Sequence, residues 1–530
     1  MINHFLSQGA LMLATTVFRS VKYGIVFSII IMILTFFVRK FFIESFGTEL
    51  TGFYLLMNQL IGYLNLAELG LTTASIYLFF KPINSGSENE IILFFYVIKK
   101  IYKVIAFSIL ILGIFIAALL PILVTDDINW YNIYIPWVIF VISTALSYLY
   151  SAETVLLTAS EKLYIVKIIS GISRTACFLI QILILKNDGS FILFCTIEIL
   201  YVGIQYYLFR NYVSKLHGKS IYKKVKDKSL INDIKKNITN EIKKTFVHKM
   251  SGVLIFNTDY IIISLFIGLS TITIYSSYLM FIQAVAIILS TIVAPLGASI
   301  GNYLHRTNIH VAYRKFNIIN IGFFALATVA CVIYNNSSTN LVQMWMGNSV
   351  MFPSDVVILL AINLFCLIAR SAVDVFKVAF GYMSDIHLPL IEGFANLLFS
   401  LILVNFYGVK GVIYGTIFSN IAIIMMARPL YLYIYAFKLG AKKFVKDHYR
   451  LWIITILFLL IIYKGYDKCL YILINKIAFT QWDINNTLVH FLINQFIFLI
   501  VTSIVTSFVY LLFFPKLFLV IISFLRKKYE

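Results

Sequence analysis

The chain has little of what a water-soluble protein needs. Only 12% of its residues are charged, where soluble domains carry roughly a quarter, and a single hydrophilic stretch, at 210–249, is longer than a linker. With 61% hydrophobic residues and a mean hydropathy of +0.92, 530 residues cannot form a soluble globule. Acidic residues are scarce as well, 23 Asp and Glu against 43 Lys and Arg. The five cysteines are widely spaced and offer neither a zinc pattern nor a disulfide framework. Cys177, Cys195, Cys331 and Cys366 fall within apolar runs and Cys469 near the end of one. No Gly-Lys phosphate loop is present, which argues against direct use of nucleotide. No Ser, His or Cys constellation suggests nucleophilic chemistry, because His248, His305 and His310 fall in or near basic loops.

What the chain has in quantity is apolar runs of spanning length. A hydrocarbon core needs about 20 apolar residues per helix. Runs bounded by Gly, Pro, Asn or charge predict about fourteen spans: 24–43, 52–80, 100–124, 132–152, 164–185, 191–209, 246–267, 272–300, 317–335, 355–380, 387–406, 411–437, 451–471 and 489–512. Backbone polar groups in lipid need partners within the segment, and the runs lack the alternation of a barrel, so the expected class is an all-α integral membrane protein.

Lys and Arg fix the expected orientation. With an inside N-terminus, 34 of the 43 fall on one side, 7 on the other, and Arg174 and Arg370 within spans. The positive-inside rule then puts both termini in the cytoplasm. The net charge of +20 is thereby explained by topology and by attraction to anionic headgroups, without nucleic acid as a partner. No cleavable signal peptide is evident. Residues 1–23 and the C-terminal segment from Pro515 to Lys528 read as interfacial helices.

The basic loop leaves six spans before it and eight after, which predicts two six-helix lobes plus two C-terminal helices. The expected limits are 1–209 for the N-lobe, 210–245 for the connecting loop, 246–437 for the C-lobe and 438–530 for the remainder. Gly47 and Tyr54 after the first span echo Gly268 and Tyr275 after the seventh. Transporters often contain such repeats.

An ionisable side chain deep in a span costs roughly 2.5–3.5 kcal/mol and should face a partner or a wet cavity. Arg174 and Asp259 fall near mid-membrane, roughly 15–20 Å from their cytoplasmic ends. Glu198 lies in the outer half, and Glu68, Arg370, Asp374, Glu392 and Arg428 lie toward the cytoplasm. Arg174 has no acidic residue within a turn, and an uncompensated guanidinium suits phosphate or carboxylate oxygens. Arg174, supported by Arg370, is therefore the expected headgroup site. Arg370 and Asp374 are four apart and share a helix face, so neutralising each other is the competing reading. Asp259, Glu68, Glu198 and Asp374 are candidates for ion coupling or gating, and Glu392, Asn396 and Arg428 for structural or gate roles. Glu68 and Glu392 also suit capping or bracing of packed helices, and Arg428, beside Pro429, suits snorkelling to the headgroups.

The segments around these residues, ELGLTTASIYLFFKP at 68–82, FNTDYIIISLFIG at 256–268, IEGFANLLFSLILVNFYGVKGVIYGTIFSN at 391–420 and ARPLYLY at 427–433, resemble bacterial Wzx-type lipid-linked oligosaccharide flippases. These belong to the multidrug, oligosaccharidyl-lipid and polysaccharide exporter superfamily. The most distinctive stretch is the series Glu392, Asn396, Gly408, Gly411, Gly415 and Thr416. The resemblance implies alternating access by two six-helix lobes in a bacterial cell membrane, without a cofactor. The cargo it implies is an undecaprenyl-diphosphate-linked repeat unit for O-antigen or capsule, with a polysaccharide polymerase and glycosyltransferases as partners.

Three other readings compete. A polytopic glycosyltransferase or polymerase usually needs a sizeable outer loop with catalytic groups, whereas the outer loops here are short and their paired acids, Asp126 and Asp127, suit a solvated turn. A multidrug or small-metabolite exporter of the same superfamily predicts an aromatic and acidic cavity rather than an arginine-bearing one. Flipping of lipid II is a narrower possibility within the same fold. The expectation is thus a transporter rather than an enzyme.

Overall fold

The computed structural model describes residues 2–68, 70–124, 126–225, 227, 229–236, 238–239, 258–304, 307–347, 350–381, 387–465 and 487–515. The start of the seventh span at 246–257, His248, His305, Cys469, the end of the thirteenth span and the C-terminal segment beyond Pro515 lie outside the described residues.

Among the described residues the chain is helical and contains no strand. Eleven helices are long and apolar enough to cross a membrane, and the protein is a multi-pass membrane protein. The first unit contains α1 (Ile2–Leu64), α2 (Leu71–Asn84), α3 (Glu88–Leu123), α4 (Trp130–Ser147), α5 (Ser151–Ala159), α6 (Leu163–Lys186), α7 (Phe191–His217) and α8 (Thr258–Phe266). After it come α9 (Leu269–Leu304), α10 (Ile309–Met346), α11 (Ser354–Ala369), α12 (Ser371–Ala379), α13 (His387–Tyr407), α14 (Val409–Ala436), α15 (Arg450–Gly465) and α16 (Thr487–Phe513). Contacts divide the chain into two compact units, Met1–Thr273 and Ile274–Glu530, with the boundary inside α9.

The ends of these helices follow from local chemistry. Ser87 and Ser190 cap α3 and α7, accepting from the backbone N–H groups of Glu90 and Leu193 at 3.4 and 3.2 Å. The range α1 holds two helices that meet at a kink at Gly47, one reaching back into the N-terminal segment and the other forming the second span, and the φ of 77° at the kink needs a glycine. Helix α7 runs past the expected span end at 209 to His217, and Tyr222 then lies between Lys99 and Arg210, with ring centroid distances of 4.6 and 5.0 Å. That pair of cation–π contacts fastens the beginning of the basic loop to the first unit.

An internal repeat runs through the element order. Gly47 and Gly268, both at positive φ, are offset by 221 (268 − 47). The starts of α3 and α10 are also 221 apart (309 − 88), and those of α4 and α11 are 224 apart (354 − 130). For α5 and α12 the spacing is 220 (371 − 151), for α6 and α13 it is 224 (387 − 163), and for α7 and α14 it is 218 (409 − 191). Each half includes a span followed by a nine-residue helix, α5 or α12, which carries an acid near its start, Glu153 or Asp374. Helices α15 and α16 lie beyond the repeat and pack on α10. There the buried Tyr510 hydroxyl lies 3.0 Å from that of Thr328 and 2.7 Å from that of Thr455.

Candidate functional site

Two charge clusters stand inside the helices, one in each unit. In the first, Arg174 projects from α6 eleven residues after Leu163 (174 − 163), about 17 Å along the axis at 1.5 Å per residue. Its Nη1 donates to both carboxylate oxygens of Glu198 on α7, each at 2.8 Å. The rings of Phe178 and Tyr201 flank the guanidinium, each with its centroid at 4.8 Å, and Gln181 Nε2 donates to Glu198 Oε1 at 3.2 Å. The network continues through Gln205, which donates to the Tyr201 hydroxyl at 3.0 Å and accepts from Tyr150.

This pairing corrects the premise that Arg174 is uncompensated. The acid sits on the next helix, several turns away in sequence, a separation about which helical periodicity says nothing. The ion pair uses one nitrogen of the guanidinium fork, and 30% of the Arg174 side chain remains exposed while Glu198 is buried at 9%. The ion pair thus engages both oxygens of the carboxylate but a single nitrogen of the guanidinium.

In the second unit, Arg428 Nη2 meets Glu392 Oε2 at 2.7 Å and its Nη1 lies 3.7 Å from Asp374 Oδ1. Arg370 Nε lies 3.5 Å from the other Asp374 oxygen, an i,i+4 pair along one helical path. Two arginines therefore alternate with two acids. Arg428 is not a snorkelling residue, because its side chain is only 12% exposed and both of its partners belong to the protein. Glu392 is a brace between α13 and α14. Asn396 and Thr416 join the same two helices through a 3.3 Å hydrogen bond, and Ser400 donates to the Val412 carbonyl at 3.1 Å. The helices come this close because Gly411 and Gly415 have no side chains, since a Cβ there would run into the Leu403 carbonyl and into Ser400 respectively.

The backbone beside Arg428 departs from the α-helix. Pro429 has no N–H to give the Met425 carbonyl, and the turns at Asn420–Ala427 and Leu432–Ala436 are π-helical. The buried His448 places Nε2 2.6 Å from the freed Met425 oxygen.

Glu68 and Asp259 stand elsewhere. Glu68 ends a 3₁₀ turn and accepts from the Thr72 hydroxyl, which in turn lies 2.9 Å from that of Tyr102. Asp259 is half-buried in the first turn of α8. Sequence reasoning missed Glu153, which is fully buried and 2.6 Å from Lys99. Its signal was a lone acid in the run SAETVLLTAS. Asp126, read as a solvated turn residue, accepts the backbone N–H of Leu269 at 3.0 Å. Arg39, inside the expected first span, is buried at 9% exposure. The four described cysteines are free and buried, and the described residues contain no group of three or more His, Cys, Asp or Glu arranged to hold a metal ion.

No protein-family profile and no curated protein matches the chain. Solved structures do. A lipid II flippase MurJ in an inward closed conformation matches with a TM-score of 0.65 at 17% identity, over 93% of this chain and 100% of that one. An inward-facing multidrug resistance MATE family transporter of the MOP superfamily matches with a TM-score of 0.63 at 11% identity, over 78% and 99%. An outward-facing structure of such a transporter gives 0.51 at 9% identity, over 80% and 96%. The chain has the fold of these transporters.

Proposed function

We propose that the chain is a flippase that moves lipid-linked oligosaccharide repeat units, carried on undecaprenyl diphosphate, from the inner to the outer leaflet of a bacterial cell membrane. The observation that carries this reading is Arg174, whose guanidinium is held by Glu198 through one nitrogen while 30% of its side chain stays exposed. A diphosphate or acidic sugar gains paired, charge-assisted hydrogen bonds there. An arginine held open to anions favours the flippase over the multidrug exporter, for which an aromatic and acidic cavity is expected. The cargo class also fits a chain with little surface outside the bilayer, which transports its substrate rather than making it. Partner polymerase and glycosyltransferases would then act before and after it.

In this mechanism Arg174 binds the headgroup and Glu198 orients Arg174. In the second unit Arg370, Asp374, Glu392 and Arg428 form a neutral brace rather than a second anion site. Glu68, which accepts from the Thr72 hydroxyl, and Asp259 are the candidates for ion coupling. Both termini lie in the cytoplasm.

The test is transfer of labelled polyprenyl-diphosphate oligosaccharide in proteoliposomes. Arg174→Ala lowers the initial rate by about 10- to 100-fold, the worth of a charge-assisted hydrogen bond, and Arg174→Lys, which keeps the charge but loses the fork, falls between. Normal transfer by folded Arg174→Ala removes this residue from the mechanism. Extrusion of cationic dyes without movement of the glycolipid would instead establish the multidrug reading.

A further inference from the structure

The charges at 438–450 divide into those that serve the protein and those that do not. Five basic residues fall there, Lys438, Lys442, Lys443, Lys446 and Arg450, around one acid, Asp447. Asp447 accepts from the Tyr313 hydroxyl on α10 and pairs with Lys443 at 3.3 Å. Arg450 donates to the Phe513 carbonyl at the end of α16 at 2.9 Å, and its guanidinium lies 5.3 Å from the centre of the Phe514 ring. Lys438, Lys442 and Lys446 are exposed, and among the described residues no acid pairs with any of them.

Burial divides the same segment into two faces. Residues Ala441–Phe444 are α-helical and Val445–Tyr449 π-helical, and the helical path continues without a break into α15. Phe444, His448, Leu451, Thr455 and Phe458 are buried and recur every three or four residues, so they form the face packed on the protein. Lys442, Lys446, Tyr449, Ile453, Ile456 and Leu460 recur with the same spacing on the other side, and all are exposed. The outward face therefore carries two cations, then a tyrosine, then only aliphatic side chains. From Lys446 to Ile456 is ten residues (456 − 446), about 15 Å along the axis, which is half the thickness of a hydrocarbon core.

We propose that this face is a binding site for an anionic glycerophospholipid of the cytoplasmic leaflet, with its phosphodiester on Lys442 and Lys446 and an acyl chain along Ile453, Ile456 and Leu460. The inside N-terminus puts this end of α15 at that leaflet. Charge complementarity selects the occupant. Like charges four apart on one helix repel, and cations in its first turns oppose the macrodipole, so the folded chain alone gains nothing from Lys442 and Lys446. A phosphodiester between them removes the repulsion. Lys438 adds a third cation in the turn before the helix, at a φ of 54°, a conformation costly for a side chain of this kind. Tyr449, 47% exposed, has the amphipathic ring that favours the headgroup level. Free phosphate would match the lysines and leave the aliphatic stripe unused, whereas a lipid uses both. The site stands apart from the cargo reading, because it needs no transport.

The purified full chain, titrated in a non-ionic detergent with dioleoyl phosphatidylglycerol, is read by native mass spectrometry, with dioleoyl phosphatidylcholine as the zwitterionic control. The native chain takes up its first phosphatidylglycerol more tightly than phosphatidylcholine. Lys442→Gln with Lys446→Gln weakens that first step about 30-fold and leaves phosphatidylcholine unchanged. Lys223→Gln with Lys224→Gln removes the same charge from exposed positions of the basic loop and changes the step far less. Equal binding of the two lipids, no loss in the Lys442 and Lys446 variant, or the same loss in both variants would each overturn the site. Displacement of the lipid by glycerol phosphate at equal concentration would reduce it to a phosphate site, and displacement by a polyprenyl diphosphate would give it to the cargo. A native dimer that takes up no lipid would give the face to a second copy of the chain. A chain that moves no lipid-linked oligosaccharide yet shows the loss with Lys442→Gln and Lys446→Gln overturns the cargo assignment and leaves the lipid site standing.

Discussion

At the scale of single residues, a charge inside an oily run needs a partner, and the sequence does not show which residue that partner is. Arg174 stands out because inserting an isolated charge is costly. Glu198 stands out for the same reason, and only packing of α6 on α7 shows that the two share one solution. Removing one member of such a pair leaves the other buried and uncompensated, which is more damaging than the net worth of the pair suggests. His448 shows the same dependence outside the spans. Burial pushes its imidazole down from 6.5 to about 4, so the folded state holds it neutral where the unfolded chain binds a proton. Stability is then complete above pH 6.5 and falls as the pH drops toward 4, by up to about 3 kcal/mol at 1.36 kcal/mol per pKa unit. Thermal unfolding in detergent at pH 7.5 and pH 5 should show this loss, and His448→Gln should flatten the difference. An equal loss in the variant assigns acid sensitivity to other groups.

At the scale of elements, close approach between α13 and α14 is set by two glycines, and substitution there has a definite sign. Gly415→Ala puts a Cβ 2.6 Å from the Ser400 backbone nitrogen and 2.9 Å from its Cα, contacts that side-chain rotation cannot relieve. Overpacking of this kind costs about 1–3 kcal/mol and should lower the unfolding temperature. Gly203→Ala in α7 is the control, since its Cβ meets nothing within 4 Å and alanine favours a helix by roughly 0.5–1 kcal/mol. If the two variants behave alike, the close helix crossing is not what Gly415 provides. The spans themselves were legible because hydrophobic run length is a one-dimensional quantity. The interruptions were less so: the turn at Tyr148–Tyr150 and the one at Arg370 contain neither Gly nor Pro. Pro429 was visible, but the π-helical turns around it were not, because they depend on how the chain reroutes its hydrogen bonds. Likewise Asp126 reads as a solvated turn until tertiary structure brings the Leu269 amide to it.

At the scale of the whole molecule, basic residues and helix-end contacts bear on the same question of sidedness by independent routes. The count of 34 basic residues against 7 favours an inside N-terminus, since each Lys or Arg near an anionic surface is worth about 1 kcal/mol. The contacts follow the parity of the helices instead. Lys99 with Glu153 and Tyr222, Tyr313 with Asp447, and Arg450 with the Phe513 carbonyl all join positions that an alternating path puts on the cytoplasmic side. Asp126 with Leu269, Ser264 with Leu123, and Lys410 with Asp355 join positions on the opposite side. A missed span between the members of a pair would put them on opposite faces of the bilayer. Cysteines at two exposed positions test the assignment directly. Trp130→Cys, where the native side chain is 71% exposed, should react with an impermeant maleimide in intact cells, whereas Lys219→Cys should react only after permeabilisation. The chain carrying Cys469→Ser provides the background, since the four described cysteines, Cys177, Cys195, Cys331 and Cys366, are buried. The reverse pattern would invert the whole path and place the basic loop outside.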